Sequence, residues 1–298
     1  MKRKHIATVL VLLITLLLSG CNDGSTNPLA AADGEYTIAV LSDTQFLSHD
    51  YPDVLMGMVK TLANNQQDMN LKYVVHTGDL VQNPYAVEQW EVIRSAFDKL
   101  VGIPYGVLAG NHDLGNGDQK FTLFLENFGE ARFLSSDWYK HAHEGGRAHC
   151  DLLSMDGDDF IFVYLSDDPS LCCIEFANEM FRKYSDRIGV LCVHRYLKDE
   201  NVLGDMGVYL QKAVVSPNVN IKMVLCGHED AVGALTSHYG DRSVHAIIFN
   251  CQEQGARNVG GILLLQINQE KGTIKGFVYE DNFKGKGVVE RISLPINW

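Results

Sequence analysis

The sequence lacks an excess of positive charge, internal repeats, blocks of like charge, an interior linker and any apolar run long enough to cross a bilayer. A formal charge of −12 excludes a dedicated nucleic-acid binder, because contact with phosphate backbones needs a cationic face. The N-terminal apolar run, 6–18, has thirteen residues, short of the roughly 20 that span a membrane, and no later run is long and apolar enough either. With no linker and no repeat, one compact domain is the simplest organisation. The chain has 298 residues, 46% of them hydrophobic and 21% charged, so it buries a substantial core and is not disordered.

The N-terminus sets the compartment. Lys2, Arg3 and Lys4 precede the apolar run as a basic region, the pattern of a signal peptide. Leu18-Ser19-Gly20-Cys21 follows and resembles a bacterial lipobox, in which cleavage before the cysteine leaves it to carry lipid. The expected organisation is a lipoprotein signal peptide at 1–20, a flexible tether at 21–34 and a folded domain at 35–298. The tether is rich in Asn, Asp, Gly, Ser and Ala without helical or strand period, and its fourteen residues give a root-mean-square reach of roughly 20 Å. Acyl chains on Cys21 hold a protein at a membrane because each buried CH₂ contributes about 0.8 kcal/mol. The expected location is the bacterial cell envelope, periplasmic or surface-exposed, with membrane contact through the lipid anchor alone.

Six further cysteines, Cys150, Cys172, Cys173, Cys192, Cys226 and Cys251, would then sit in an oxidising compartment. Six thiols allow fifteen pairings, and spacing does not choose among them. Cys192 and Cys226 lie in apolar runs and read as buried thiols. One of the adjacent pair Cys172-Cys173 is expected to bridge to Cys150.

After the tether, near-continuous apolar runs at 37–41, 73–75, 105–108, 188–193 and 221–225 read as buried strands. Segments 54–69, 86–100, 121–128, 174–184 and 204–214 read as helices between them, and βα alternation predicts an α/β fold with a largely parallel central sheet. The runs 148–155 and 160–165 flank Asp156-Gly157-Asp158, a hairpin signal. From 244 onward the chain reads as strands at 244–249, 261–267, 272–279 and 288–294, which predicts a second, more antiparallel sheet.

Five strand candidates end in Asp, Asn or His. They run into Ser42-Asp43-Thr44-Gln45, His76-Thr77-Gly78-Asp79, Gly110-Asn111-His112-Asp113, His194, and Gly227-His228-Glu229-Asp230. In α/β sheets functional groups gather at the carboxyl ends of strands, so these segments are expected to converge. Glycine precedes Asp79, Asn111 and His228, as suits a backbone that turns tightly or approaches a ligand.

In their order these motifs resemble those of the calcineurin-like metallophosphoesterase superfamily: Asp-x-His, Gly-Asp, Gly-Asn-His-Asp/Glu, a lone His and Gly-His-x-His. The resemblance implies a four-layer α/β/β/α sandwich, mixed in its sheets, with two divalent metal ions (Mn, Fe or Zn). It places one metal among Asp43, Gln45, Asp79 and Asp230. The second falls among Asp79, Asn111, His194 and His228, with Asp79 bridging. A metal-bound hydroxide would attack a phosphomonoester or phosphodiester, His112 would stabilise the transition state or protonate the leaving oxygen, and Asp113 would orient that imidazole. The partner is then a phosphorylated small molecule or phosphodiester substrate.

Three positions depart from the family pattern. Gln45 and Asp230 stand where histidines are usual, and Gln82 replaces the second Asp of Gly-Asp-x-x-Asp; an Asp-x-Gln variant occurs in a bacterial branch that this chain resembles. If both substitutions ligate, the first site is all oxygen and biased to a hard ion such as Mn²⁺, whereas the imidazoles of the second suit Zn²⁺ or Fe. The competing reading is a surface lipoprotein that keeps the fold as a binding module with a degraded metal site. A carbohydrate-binding or adhesive lipoprotein would account for Trp90, Trp138 and the tyrosines, but not for the strand ends.

The remaining histidines read as structural. His76 lies inside the strand that delivers Asp79, His238 and His245 as surface or loop residues, and His141, His143 and His149 in a mobile polar loop around Gly145-Gly146-Arg147. Arg195 is set outside the site, because neighbours along a strand face opposite ways.

Overall fold

In the strand Glu35–Leu41, Ile38 and Val40 point to one side and Ala39 and Leu41 to the other, and all four are buried. A strand that is apolar on both faces needs a layer on each, and that requirement organises the molecule. The structure is a computed structural model that describes residues 27–252, 260–282, 285–296 and 298. The signal peptide, Cys21 and the rest of the tether up to residue 26 lie outside the described residues.

In chain order the strands are β1 (Glu35–Leu41), β2 (Leu71–His76), β3 (Tyr105–Val107), β4 (Tyr139–His143), β5 (Ala148–Met155), β6 (Asp158–Leu165), β7 (Ile188–Val193), β8 (Leu197–Asp199), β9 (Val202–Leu203), β10 (Ile221–Cys226), β11 (Val232–Tyr239), β12 (Arg242–Phe249), β13 (Gly261–Asn268), β14 (Thr273–Asn282) and β15 (Gly285–Pro295). The α-helices are α1 (Gln45–Asp50), α2 (Pro52–Asn64), α3 (Val87–Phe97), α4 (Thr122–Phe128), α5 (Glu130–Phe133), α6 (Leu171–Lys183) and α7 (Asp205–Leu210). One sheet has the order β15-β14-β13-β1-β2-β3, and the other β11-β12-β10-β7-β6-β5-β4.

Three apolar clusters separate four layers. Helices α1 to α4 bury Leu55, Met58, Trp90, Phe97 and Phe124 against Ala39, Leu41 and Val74 of the first sheet. Between the sheets, Ile38, Val40 and Val75 meet Phe160, Phe162, Val190 and Leu225. Beyond the second sheet, Ile174, Ala177 and Phe181 of α6 pack on Ile161, Val163 and Leu191. The α/β/β/α sandwich is therefore built as the resemblance implies.

Local sequence explains the elements. In α2, Leu55, Met58, Val59 and Leu62 recur at helical spacing and are buried, and Pro52 occupies the first turn, where its missing N–H costs nothing. The Ser170 hydroxyl caps α6 by accepting from the Cys173 N–H at 3.2 Å. Asp156 and Gly157 have φ of 49° and 101°, the left-handed pair that a two-residue hairpin turn demands, and they join β5 to β6.

The C-terminal strands do not form a sheet of their own. β12 joins the second sheet parallel to β10, whereas β13 pairs antiparallel with β1 and carries β14 and β15 with it. The expected parallel strands are divided likewise, with β1, β2 and β3 in one sheet and β7 and β10 in the other. β4 and β11 were not expected. Both are half-buried sheet edges, so their residues never form an apolar run.

Two further expectations are corrected. The six described cysteines are free thiols, with Cys150 buried in β5 and Cys173 in the first turn of α6, so the expected bridge to Cys150 is not formed. The polar loop expected around Gly145 is ordered as the β4–β5 pair, where His149 stacks between Tyr139 and Tyr164 at centroid distances of 4.9 and 4.3 Å. His245 is likewise no surface residue: it is buried in β12, donates to the Pro295 carbonyl at 2.9 Å and accepts from Thr236.

Candidate metal centre

Asp43 follows β1, Asp79 follows β2, Asn111 follows β3, His194 follows β7 and His228 follows β10. All five leave carboxyl ends, and the two sheets bring them to one end of the sandwich. The backbone there is forced. Asp43, Asp79 and His228 have φ of 52°, 56° and 75°, a region L-residues avoid, with strain of about 1–3 kcal/mol each of the kind found at functional sites. Two glycines make room: a Cβ on Gly110 would strike the Asp79 carboxylate, and one on Gly227 the Asp43 carboxylate.

Asp79, His194 and His228 offer ligand atoms that lie within 4.8 Å of one another. His194 Nδ1 donates to the Thr77 carbonyl at 2.9 Å, which aims Nε2 at Asn111 Oδ1 (3.0 Å) and Asp79 Oδ2 (3.3 Å). That fixes the tautomer a metal ligand needs. Asp79, Asn111, His194 and His228 are thus neighbours at this end of the sandwich.

On the other side of Asp79, buried Asp43 accepts from the Ser42 hydroxyl and the His228 N–H through Oδ2, while its Oδ1 is buried without a hydrogen-bond partner. One end of the Gln45 amide lies 3.1 Å from the main-chain carbonyls of both Asp43 and Asp79, so that end is the NH₂ donor. The Gln45 oxygen then accepts from Gln252 Nε2 at 2.7 Å and faces Asp79 Oδ2 across 3.4 Å. The orphan oxygen is the Asp43 Oδ1, and a buried carboxylate oxygen without a partner is an arrangement that a cation completes.

Asp230 is not in the group of neighbouring ligand atoms around Asp79. It is exposed and lines a separate cavity of about 130 Å³ with Glu280 and Arg291. β11 begins two residues later, at Val232, and Gln252 makes a polar contact to the Gln45 amide.

Electrostatics reflect the same need for positive charge. Burial, with the Asp79 carboxylate adding to it, pushes Asp43 up to about 7. Burial alone would lower His194, but the carboxylates of Asp79, Asp43 and Asp167 outweigh it and raise His194 to about 9.

Asp113 plays a different part from the one expected. It accepts from the N–H groups of Leu80 (2.8 Å), Val81 (3.0 Å) and Gly110 (2.8 Å), so it ties the Asp79 loop to the Asn111 loop rather than orienting an imidazole. The His112 N–H binds Asp79 Oδ1 at 2.8 Å, and its half-buried ring sits with Nδ1 3.4 Å from the Gln82 carbonyl. His76 is fully buried between Thr44 and the Gly78 N–H, and burial lowers it to about 3, in keeping with a structural role.

Three contributors escaped the sequence reading. Asn250, after β12, is buried and donates to the His228 carbonyl at 3.2 Å. Asp167, after β6, pairs with Arg195 at 3.3 Å. Arg195 itself lies past the end of β7, where strand alternation no longer applies, and lines a cavity of about 450 Å³ with His228. The strand-end rule that found the others also points to Asn250 and Asp167.

Residues 36–230 match the family model for calcineurin-like phosphoesterases, a span that holds all five strand ends. The chain belongs to the calcineurin-like phosphoesterase family. Among sequence relatives it is 33% identical over 261 residues to YvnB of Bacillus subtilis, a match covering 84% of this chain and 20% of that protein. The chain thus spans about a fifth of that relative's length. Among solved structures, the purple acid phosphatase PPD1 from yellow lupin shares the fold with a TM-score of 0.55 at 13% identity, covering 91% of this chain and 55% of that one. The family membership and the candidate ligand group support phosphoester hydrolysis with divalent metals in general terms.

Proposed function

We propose that this protein hydrolyses a phosphomonoester or phosphodiester at two divalent cations that share Asp79, and that lipid on Cys21 anchors it to the cell envelope. The observation that carries the reading is the placement of Asp79 between two donor sets, Asp43 with Gln45 and Asn111 with His194 and His228. Bound there, the cations would supply an activated water and positive charge for phosphoryl oxygens. The first set is all oxygen and suits a hard ion such as Mn²⁺, whereas the imidazoles of the second suit Zn²⁺ or Fe. With Nδ1 turned to the Gln82 carbonyl, His112 keeps Nε2 for the leaving oxygen. Chromogenic monoesters and diesters assayed with Mn²⁺ and with chelator test the reading. Turnover that chelation abolishes is expected, and unchanged turnover would sink it. Cys21→Ala is expected to move the protein out of the membrane fraction, and retention there would refute the anchor.

Metal uptake is expected to release protons. His194 must be neutral to ligate, yet it holds its second proton up to about pH 9, and Asp43 is protonated below about pH 7. Affinity should therefore rise with pH through this window, with about one proton released per chain near pH 8. Calorimetric titration in buffers of different ionisation enthalpy reads that number. Uptake without proton release would contradict the assignment of His194.

Arg195 is expected to hold a charged oxygen of the substrate. Its Nε is buried without an acceptor, and the side chain lines the cavity beside His228. A hydrogen bond to a charged group is worth about 1.5–3 kcal/mol, so Arg195→Ala should lower kcat/KM about 10- to 100-fold, chiefly through KM. Arg195→Lys should recover part of the loss. An unchanged KM would remove Arg195 from the pocket's function.

A further inference from the structure

A second group of metal-ligand side chains lies on the edge of the other sheet, where the proposed centre does not use it. His143 ends β4, Glu144 opens the turn that follows with φ of 49°, and Cys173 lies in the first turn of α6. His143 Nε2 is 3.8 Å from Glu144 Oε1, Cys173 Sγ is 4.0 Å from Glu144 Oε2, and ligand atoms of the three residues fall within 4.8 Å of one another. In a tetrahedral zinc centre, bonds of about 2.0–2.3 Å place ligand atoms about 3.3–3.8 Å apart, so small side-chain movements close the gap.

The three side chains have few competing duties. His143 Nε2 is buried without a hydrogen-bond partner, and its ring is held against Phe176 at 5.8 Å. The Cys173 thiol lies 3.3 Å from the Ser170 hydroxyl. Glu144 also receives Arg147 at 3.1 Å, and the Arg147 guanidinium is fixed over Phe121 at 4.4 Å. Glu144, Arg147 and Cys173 line a cavity of about 240 Å³ that reaches Ser166 and Asp167.

We propose that His143, Glu144 and Cys173 form a mononuclear site for a thiophilic transition-metal ion of the zinc type, with its fourth position open to this cavity. One sulfur, one imidazole and one carboxylate favour such an ion over Mg²⁺ or Ca²⁺, which take oxygen. The thiolate and the carboxylate together neutralise a divalent cation. Arg147 is then left as an unbalanced positive charge beside the open position, which favours an anionic fourth ligand.

Titration of the full chain with Co²⁺ tests the site, because thiolate-to-cobalt charge transfer gives a near-ultraviolet absorption band. No residue of the centre around Asp79 carries sulfur, so the band reads this site whether or not the phosphoesterase reading holds. The band is expected in the native chain and in Asp79→Asn, lost in Cys173→Ser, and to need at least about tenfold more Co²⁺ in His143→Ala, with the circular dichroism of each variant unchanged. His143→Ala acts from a different element, so it separates loss of a ligand from a local fault in α6. Absence of the band in the native chain, or its persistence in Cys173→Ser, would overturn the proposal.

Discussion

Asp79→Asn is expected to lower turnover by at least about 10³-fold while leaving the fold intact. The substitution keeps an oxygen for the His112 N–H, so the local backbone retains its acceptor. It removes the negative charge that both donor sets share. Losing the cations' hold on the transition state costs several kcal/mol, and each ~1.4 kcal/mol is a factor of ten. Steady-state kinetics at saturating Mn²⁺ measure the loss, with near-ultraviolet circular dichroism as the control for folding. A loss below about tenfold would show that Asp79 is not shared between the cations.

Asp113→Ala is expected to damage stability and activity together. Three main-chain N–H groups, of Leu80, Val81 and Gly110, would lose their acceptor in a place where Asp113 is 2% exposed. Each buried unsatisfied donor costs about 1–3 kcal/mol, so the native state should lose at least ~3 kcal/mol. The two loops it joins carry Asp79 and Asn111, and releasing them should also lower kcat about 10- to 100-fold, the usual cost of removing a group that orients metal ligands. Urea unfolding and kinetics on the same preparation measure both. A change in stability within about 0.5 kcal/mol would show that the loops do not depend on Asp113.

These expectations rest on residues with unequal visibility in the sequence. Asp43, Asp79, Asn111, His194 and His228 are legible because each follows an apolar strand directly, so pattern and chemistry point to the same place. Asp230 is less legible, because it stands two residues past His228, whose φ of 75° sets the path of the chain into β11. Asp113 is legible as an acid within the motif, but two of its three partners, Leu80 and Val81, lie on another loop and only tertiary structure reveals them. Asn250 and Asp167 follow β12 and β6, two strands that the pattern assigns to an antiparallel tail and a hairpin rather than to the converging set. The layers themselves follow from strands apolar on both faces, whereas the division of the C-terminal strands between two sheets depends on long-range pairing that no local period encodes.

The central claim is that Asp79 holds two cations at once. Elemental analysis of the purified native chain and of Asp79→Asn, prepared side by side and normalised to protein, tests it directly. A shared carboxylate predicts that the variant has lost two divalent ions per chain. Loss of one or none would contradict a dinuclear centre built on Asp79.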